Sequence, residues 1–432
     1  MQVEAAVQRA RQTDRLADGD AAVQLERQID QLRDKLKIAV VFAGDKNSAD
    51  TVIFRSDNTR AWKSYEAVAC DIADGLKGLG FRHVELMPEG MQLADRLRRH
   101  QIHMAWLNTG GVQGYNSACH AAALLEMVGI PYVGHNPLSA TTLDNKHTFK
   151  REAVCAGLPT APFTTWDMAR GSFLPDVNSR FSRAFGDYSG PFIVKPVSGR
   201  ASLNVCFVLD RSGLTDAVAE VYRDTKHLVL IEKYLPGREF CVAVTGPVTS
   251  KGGNITLGAE PFAFGVLERT FTEDEKIFTS MDVRPISGER FKHVCTKSEP
   301  NLHMELGRLA REVYLEFGLE SLIRIDIRSD EDGELYILEA NPKPDLKRPG
   351  KNVTSLIAAG LEQTNLTYDD LLLSILTDRL YSLFRRKHAS VSHIVSLLDE
   401  GASEGWSAEA ITCDTNQMVA SLRATAARMR YA

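Results

Sequence analysis

The stretch RIDIRSDEDGELYILEANP, residues 324–342, holds the densest set of groups able to do chemistry. Residues two apart in a strand face the same way, so Arg324 pairs with Asp326 and Glu339 with Asn341. If the two segments pair across a turn at Asp330, Asp332 and Gly333, the four side chains converge. Two carboxylates and an amide oxygen are hard donors that suit a divalent ion such as Mg²⁺. Arg324 beside them suits the charge of a transferring phosphoryl group. The same spacing also fits an exposed hairpin face carrying ordinary charge pairs.

Lys195 closes the apolar run PFIV and is followed by Pro196. A lysine there can touch a nucleotide phosphate or simply surface at the strand end. The next loop supplies Ser198, Gly199 and Ser202, whose backbone N–H groups could hold phosphate oxygens. Neither GxxxxGK[ST] nor GxGxxG occurs, which argues against a P-loop and a Rossmann dehydrogenase.

The elements that must position these groups alternate along the chain. KIAVVFAG (37–44), HVELM (83–87), IHMAWLN (102–108) and IPYVG (130–134) read as strands, with helices over 62–79 and 117–128 between them. Ser117 is the expected cap of the second helix. This order implies an open α/β unit. Thr142 to Cys155 reads as one helix, and 170–190 as a polar loop insertion. Residues 191–197, 205–210, 228–235 and 238–246 read as strands, and Leu302 to Phe317 as a long helix. A helix is expected over 367–386, with shorter ones near 389–399 and 415–428. Leu25, Ile29, Leu32 and Leu36 recur at helical spacing, suiting packing onto the chain itself or a homodimer contact.

Composition bounds the function. The 432 residues have room for about three domains. Hydrophobic residues make up 44% and charged residues 25%, an ordinary globular balance. The formal charge of -5 gives no reason to expect nucleic acid as a partner. Seven cysteines without a CxxC pair give no zinc signature, and their odd number argues against a disulfide framework. No apolar leader or membrane-spanning run is evident, so a cytoplasmic protein without membrane contact is expected.

The motifs DNKHTFK (144–150), PFIVKP (191–196), LIEKYLPGREFCVAV (230–244), RIDI (324–327) and LEANP (338–342) occur in an order that resembles ATP-grasp enzymes of the D-alanine–D-alanine ligase type. The resemblance runs from about Lys37 to Ile375. It implies an α/β and α+β chain with an ATP-grasp fold, in which an N-terminal open α/β domain precedes two α+β lobes that hold the nucleotide. The expected division is a helical extension (1–36), the α/β domain (37–136), a central lobe (137–230), a C-terminal lobe with the metal site (231–386) and a helical extension (387–432).

The resemblance also implies roles. Lys146 and Lys195 match the lysines on the ATP phosphates, with Lys150 one helical turn from Lys146. Glu232, Lys233 and Leu235 match the adenine hinge, and Glu239 the carboxylate on the ribose. Arg324 matches the arginine at the transferred phosphoryl group. Asp326, Glu339 and Asn341 match ligands of Mg²⁺, with Mn²⁺ as a substitute ion. The implied reaction phosphorylates a carboxylate with ATP, and an amine then displaces phosphate.

The substrate-facing segments depart from the family. AGDKNSADTVIFRSDNTR has no counterpart of the early glutamate, and NTGGVQGYNS (108–117) lacks the acidic pair of HG…GEDG. NPKPDLKRPGKNVTSLIAAG brings Lys343, Lys347, Arg348 and Lys351 after the ligand motif, where they could bind an extra carboxylate. Asp345 is a candidate base. The reading is therefore an ADP-forming ligase joining small carboxylate and amine substrates into an amide or dipeptide. The alternatives are a ligase with a non-amine acceptor, a phosphoryl transferase, or an ATP-binding protein without turnover.

Overall fold

The structure, a computed structural model, describes residues 21–48, 50, 64–111, 117–199, 202–272, 275–277, 289–350 and 355–399. The first helix, α1 (21–35), buries Leu25, Ile29 and Leu32, and Leu36 directly after it is buried too. This stripe packs onto the chain's own core.

Four parallel strands follow: β1 (Lys37–Phe42), β2 (His83–Pro88), β3 (Met104–Asn108) and β4 (Tyr132–Val133), in the order β2-β1-β3-β4. They alternate with α2 (Glu66–Gly78), α3 (Leu93–Arg99) and α4 (His120–Val128). Ser117 does not cap α4. It sits in a 3-10 turn over Ser117–Cys119, and its hydroxyl donates to the Gly110 carbonyl at 3.3 Å instead. Gly111 explains the tight loop here: at φ 86°, an added Cβ would lie 2.1 Å from the Ser117 carbonyl oxygen.

The single helix expected over 142–155 is two, α5 (Pro137–Asp144) and α6 (Lys146–Cys155). Asn145 separates them. Its backbone is extended, and its side chain accepts from the Thr148 N–H at 3.0 Å, capping α6.

A second, antiparallel sheet has the order β5-β8-β6-β7, from β5 (Phe163–Trp166), β6 (Phe192–Pro196), β7 (Cys206–Val208) and β8 (Val229–Lys233). Its helices are α7 (Ser179–Phe185) and α8 (Leu214–Thr225). Helix α7 corrects the reading of 170–190 as a loop insertion. Phe173, Phe181 and Phe185 are buried around Phe192, so these aromatics anchor the segment to the core while most of its other residues stay exposed.

The third unit contains β9 (Glu239–Thr245), the hairpin β10 (Val248–Lys251) and β11 (Asn254–Leu257), then β12 (Phe262–Arg269), β13 (Phe291–His293), β14 (Ile323–Ser329) and β15 (Leu335–Asn341). The large sheet has the order β13-β12-β9-β14-β15 and is antiparallel. Its helices are α9 (Pro300–Glu316), α10 (Leu356–Gly360), α11 (Tyr368–Arg385) and α12 (Ser392–Val395). The β14–β15 turn forms as the sequence implies. Asp330 Oδ1 accepts from the N–H of Asp332 and of Glu334, and Gly333 takes φ 89°.

Helix α11 joins the N-terminal unit to the large sheet. Leu371, Leu372, Leu376 and Leu380 share one core with Leu32, Leu36 and Leu76. Its polar face reaches β10: Asp370, Ser374 and Asp378 accept from the N–H groups of Gly252, Ser250 and Val248. The helix expected over 389–399 is shorter, a 3-10 turn at Ala389–Val391 followed by α12. The helix expected over 415–428 lies outside the described residues. Among the described residues, no helix is long and apolar enough to cross a membrane.

Candidate functional site

The chemistry-bearing side chains meet where α6, the central sheet and the large sheet converge. On the large sheet, Arg324 lies opposite Asn341 and Asp326 opposite Glu339, with a register shift immediately after Asp326. Arg324 Nε donates to Asp326 Oδ1 at 2.8 Å, and its Nη2 to Oδ2 at 2.9 Å. Asn341 Nδ2 reaches the same Oδ2 at 3.3 Å. Arg324, Asp326 and Asn341 share one set of contacts, and Glu339 lies opposite Asp326 in the register, so the hairpin face is not a bare solvent face.

Two arginines that the sequence reading missed complete this floor. Arg269, at the end of β12, donates through Nη2 to Asp326 Oδ2 at 2.9 Å and through Nη1 to Glu239. Arg328 Nη1 donates to Glu239 Oε2 at 3.3 Å, and its Nη2 to the Tyr234 hydroxyl at 3.0 Å. Burial disfavours the charge on Arg269, but Asp326 and Glu239 outweigh it and hold the guanidinium protonated. The available signal was the apolar run FAFGVLER ending in charge, a strand that delivers Arg269 beside β9. Glu239 is buried against these two guanidiniums.

Helix α6 supplies the opposite wall. Lys146 Nζ lies 3.1 Å from Glu339 Oε2 and donates to the Gly199 carbonyl at 3.0 Å. It is thus tied both to β15 and to the loop after β6. Burial works to raise the Glu339 carboxyl, but the fields of Lys146 and Lys195 prevail and hold it at about 2. Lys146 is likewise opposed by burial yet raised, because Glu339 and Asp144 face it.

The central sheet carries Lys195 on β6 and Glu232 on β8. Lys195 Nζ lies 3.0 Å from Glu232 Oε2, and Lys150 Nζ lies 3.4 Å from Glu232 Oε1. Lys146 and Lys150, one helical turn apart, therefore serve different carboxylates. Lys233 stands 5.3 Å over the Tyr188 ring, and Leu235 is buried. Ser198 donates its hydroxyl to Asp144 at 3.0 Å, and Ser202 has a left-handed backbone at φ 53°.

The basic loop after β15 divides. Lys343 Nζ stands 3.5 Å over the Tyr65 ring, and Lys347 is exposed. Arg348 is committed elsewhere: its Nη2 donates to Asp369 at 2.6 Å, its N–H to Asp71 at 2.9 Å, and its guanidinium stacks on Tyr368. Asp345 accepts from the Lys347 N–H at 3.2 Å. Lys351 lies outside the described residues.

In this cluster Lys146, Lys150, Lys195, Arg269, Arg324 and Arg328 face Glu232, Glu239, Asp326 and Glu339. The cations outnumber the carboxylates, so the site suits a polyanion. Among the described residues, no group of three or more His, Cys, Asp or Glu stands where it could hold a metal. The oxygens of Asp326, Glu339 and Asn341 are hard donors of the kind that suits Mg²⁺, and Asn341 here turns its amide nitrogen toward Asp326.

Comparison with known proteins gives the geometry a context. A family model described as D-ala D-ala ligase C-terminus matches residues 153–377, over half of the chain. The D-alanine–D-alanine ligase of Sodalis glossinidius is 29% identical over 289 residues, spanning 66% of this chain and 67% of that protein. The D-alanine–D-alanine ligase of a Marinomonas species is 25% identical over 308 residues, spanning 70% of this chain and 87% of that protein. A crystal structure of the Bacillus anthracis D-alanine–D-alanine ligase complexed with ATP superposes with a TM-score of 0.58 at 17% identity. That match covers 81% of this chain and 99% of the other, and it speaks to the fold.

Proposed function

Because the chain belongs to the D-ala D-ala ligase C-terminus family and has the ATP-grasp fold, we propose that it is an ATP-dependent, ADP-forming carboxylate–amine ligase. The observation that carries this reading is the joint between Lys146 and Glu339. It sets a phosphate-type cation from α6 directly on the carboxylate of the ligand strand. The relatives' names support the class of reaction, and the departures in the substrate-facing segments favour a different substrate pair.

In the mechanism, Asp326, Glu339 and Asn341 would hold Mg²⁺, which supplies charge neutralisation between nucleotide phosphates. Lys146 and Lys195 bind the phosphate oxygens, and Lys146 turns from Glu339 toward them. Arg324 is fixed by Asp326 and stabilises charge on the transferred phosphoryl group and then on the tetrahedral centre. Backbone N–H groups around Ser198, Gly199 and Ser202 line the phosphate loop. A carboxylate oxygen of the substrate bonds to the γ-phosphorus of ATP as the bond from that phosphorus to the bridging oxygen breaks, giving an acylphosphate and ADP. Attack by the amine forms the amide bond and breaks the acyl–phosphate bond, releasing phosphate.

The substrates on this reading are amino-acid-like, and Lys343 and Lys347 are the basic residues we assign to an additional carboxylate. Arg348 is not assigned to substrate, because Asp369 and Tyr368 occupy it. The test is ADP release from ATP and Mg²⁺ with a pool of small carboxylates and amines. Release that depends on both classes of substrate supports the ligase. Release that needs no amine overturns it.

A further inference from the structure

Lys150 has no place in the mechanism above, yet it is the most deeply enclosed cation near the site. Its side chain has 0% exposure. Its Nζ donates to Thr160 Oγ1 at 2.6 Å and lies 3.4 Å from Glu232 Oε1. Thr160 passes the contact on by donating to the Ile337 carbonyl at 3.0 Å, on the strand that carries Glu339. Glu232, itself buried, holds Lys195 through its other oxygen at 3.0 Å.

A buried lysine is costly unless its charge is used. Here the use is arithmetic. Lys150, Glu232 and Lys195 together carry one net positive charge. Without Lys150, Glu232 and Lys195 would cancel, and Lys195 would be locked to a buried carboxylate with no charge left over for a polyanion. Burial and the neighbouring Lys195 hold the Lys150 ammonium below the usual lysine range, and Glu232 is the main force against that fall.

We infer that Lys150 is a positioning residue that neutralises Glu232, so that Lys195 can be released from Glu232 to nucleotide phosphate. The inference rests on the ligase reading above, in which Lys195 binds phosphate. It assigns Glu232 the part of a resting counter-ion for Lys195, alongside or in place of adenine recognition. The tie through Thr160 to Ile337 keeps Lys150 at one position relative to the ligand strand.

The experiment compares Lys150→Met, Glu232→Gln, their combination and Lys195→Met in the full chain, by ATP-dependent ADP release and by ATP titration of binding. Lys150→Met is expected to raise the KM for ATP about tenfold, with kcat within about threefold, because the charge balance is lost while the reacting groups stay. Adding Glu232→Gln removes the carboxylate that Lys150 neutralises, so the double variant should match Glu232→Gln alone to within about threefold in KM, that single variant carrying any loss of adenine contact. A purely structural lysine would give no such rescue. If Lys150→Met does not fold, the double variant still decides: a KM within about threefold of Glu232→Gln supports the inference, and a tenfold deficit against Glu232→Gln overturns it. A folded Lys150→Met with unchanged KM also overturns it. Lys195→Met separates the two readings. No effect of that variant removes the phosphate role of Lys195. A loss in Lys195→Met without one in Lys150→Met removes the inference about Lys150 alone.

Discussion

Lys146 Nζ lies 3.1 Å from Glu339 Oε2, joining the first turn of α6 to the third residue from the end of β15. Two segments almost two hundred residues apart thereby meet in one ion pair. Both partners are held in their charged forms, Lys146 upward and Glu339 down to about 2. This joint carries the functional account, and the first prediction follows from it.

Glu339→Ala and Asn341→Ala should each lower kcat by at least about a hundredfold, a loss of roughly 3 kcal/mol of transition-state stabilisation. Circular dichroism should still report a folded protein, since neither side chain is part of an apolar core. Near-normal ADP release from either purified variant would take that residue out of the ligand set.

Arg348→Ala should act on architecture and not on substrate charge. Its partners Asp369 and Tyr368 lie on α11, and Asp71 on α2, so it straps the loop after β15 to both helices. The ion pair is more than a third exposed, so the expected cost is about 1 kcal/mol or less in chemical denaturation. The KM values for neutral and acidic substrates should rise by equal factors. A selective loss for acidic substrates would return Arg348 to the substrate site.

The contact between α11 and β10 gives a stability prediction. Ser374 accepts from the Ser250 N–H at 2.7 Å in a buried setting. Ser374→Ala leaves that donor without its acceptor and should cost about 1–3 kcal/mol in urea unfolding, with kcat unchanged. Retention of full stability would show that the ladder is incidental.

Asp378, the last rung of that ladder, gives a pH prediction. Burial pushes its carboxyl up to about 7 from the ordinary 3.8, while the hydrogen bond from the Val248 N–H and the charge of Arg379 oppose the rise. The folded state thus holds this proton more tightly than the unfolded chain does. The resulting stability is fully present below about pH 4 and is lost as pH rises through about 7. Asp378→Asn removes the titration. Relative to the unaltered protein, the variant should gain up to about 4 kcal/mol between pH 4 and pH 8. Parallel stability curves for the two proteins across that range would contradict the assignment.

Much of the site was legible because strand periodicity is short. The alternation in RIDI and LEAN places Arg324, Asp326, Glu339 and Asn341 on one face, and the turn at Asp330 and Gly333 fixes their pairing. Arg269 was not legible, since its approach to Asp326 depends on β12 lying beside β9, a matter of sheet order. Lys150 was visible only as a neighbour of Lys146. Nothing in the spacing says that one lysine meets Glu339 and the other Glu232. Helix α7 was hidden by its polar residues, because its two aromatic anchors, Phe181 and Phe185, acquire meaning only around Phe192. Arg348 looked like a substrate cation until α11 supplied Asp369.

Mass spectrometry of the products formed from ATP, Mg²⁺ and pooled L- and D-amino acids with small carboxylic acids is the most direct test of the central claim. The account predicts a new species whose mass equals two pool members minus water, formed in step with ADP. ADP accompanied only by a phosphorylated carboxylate, with amines present in excess, would contradict it.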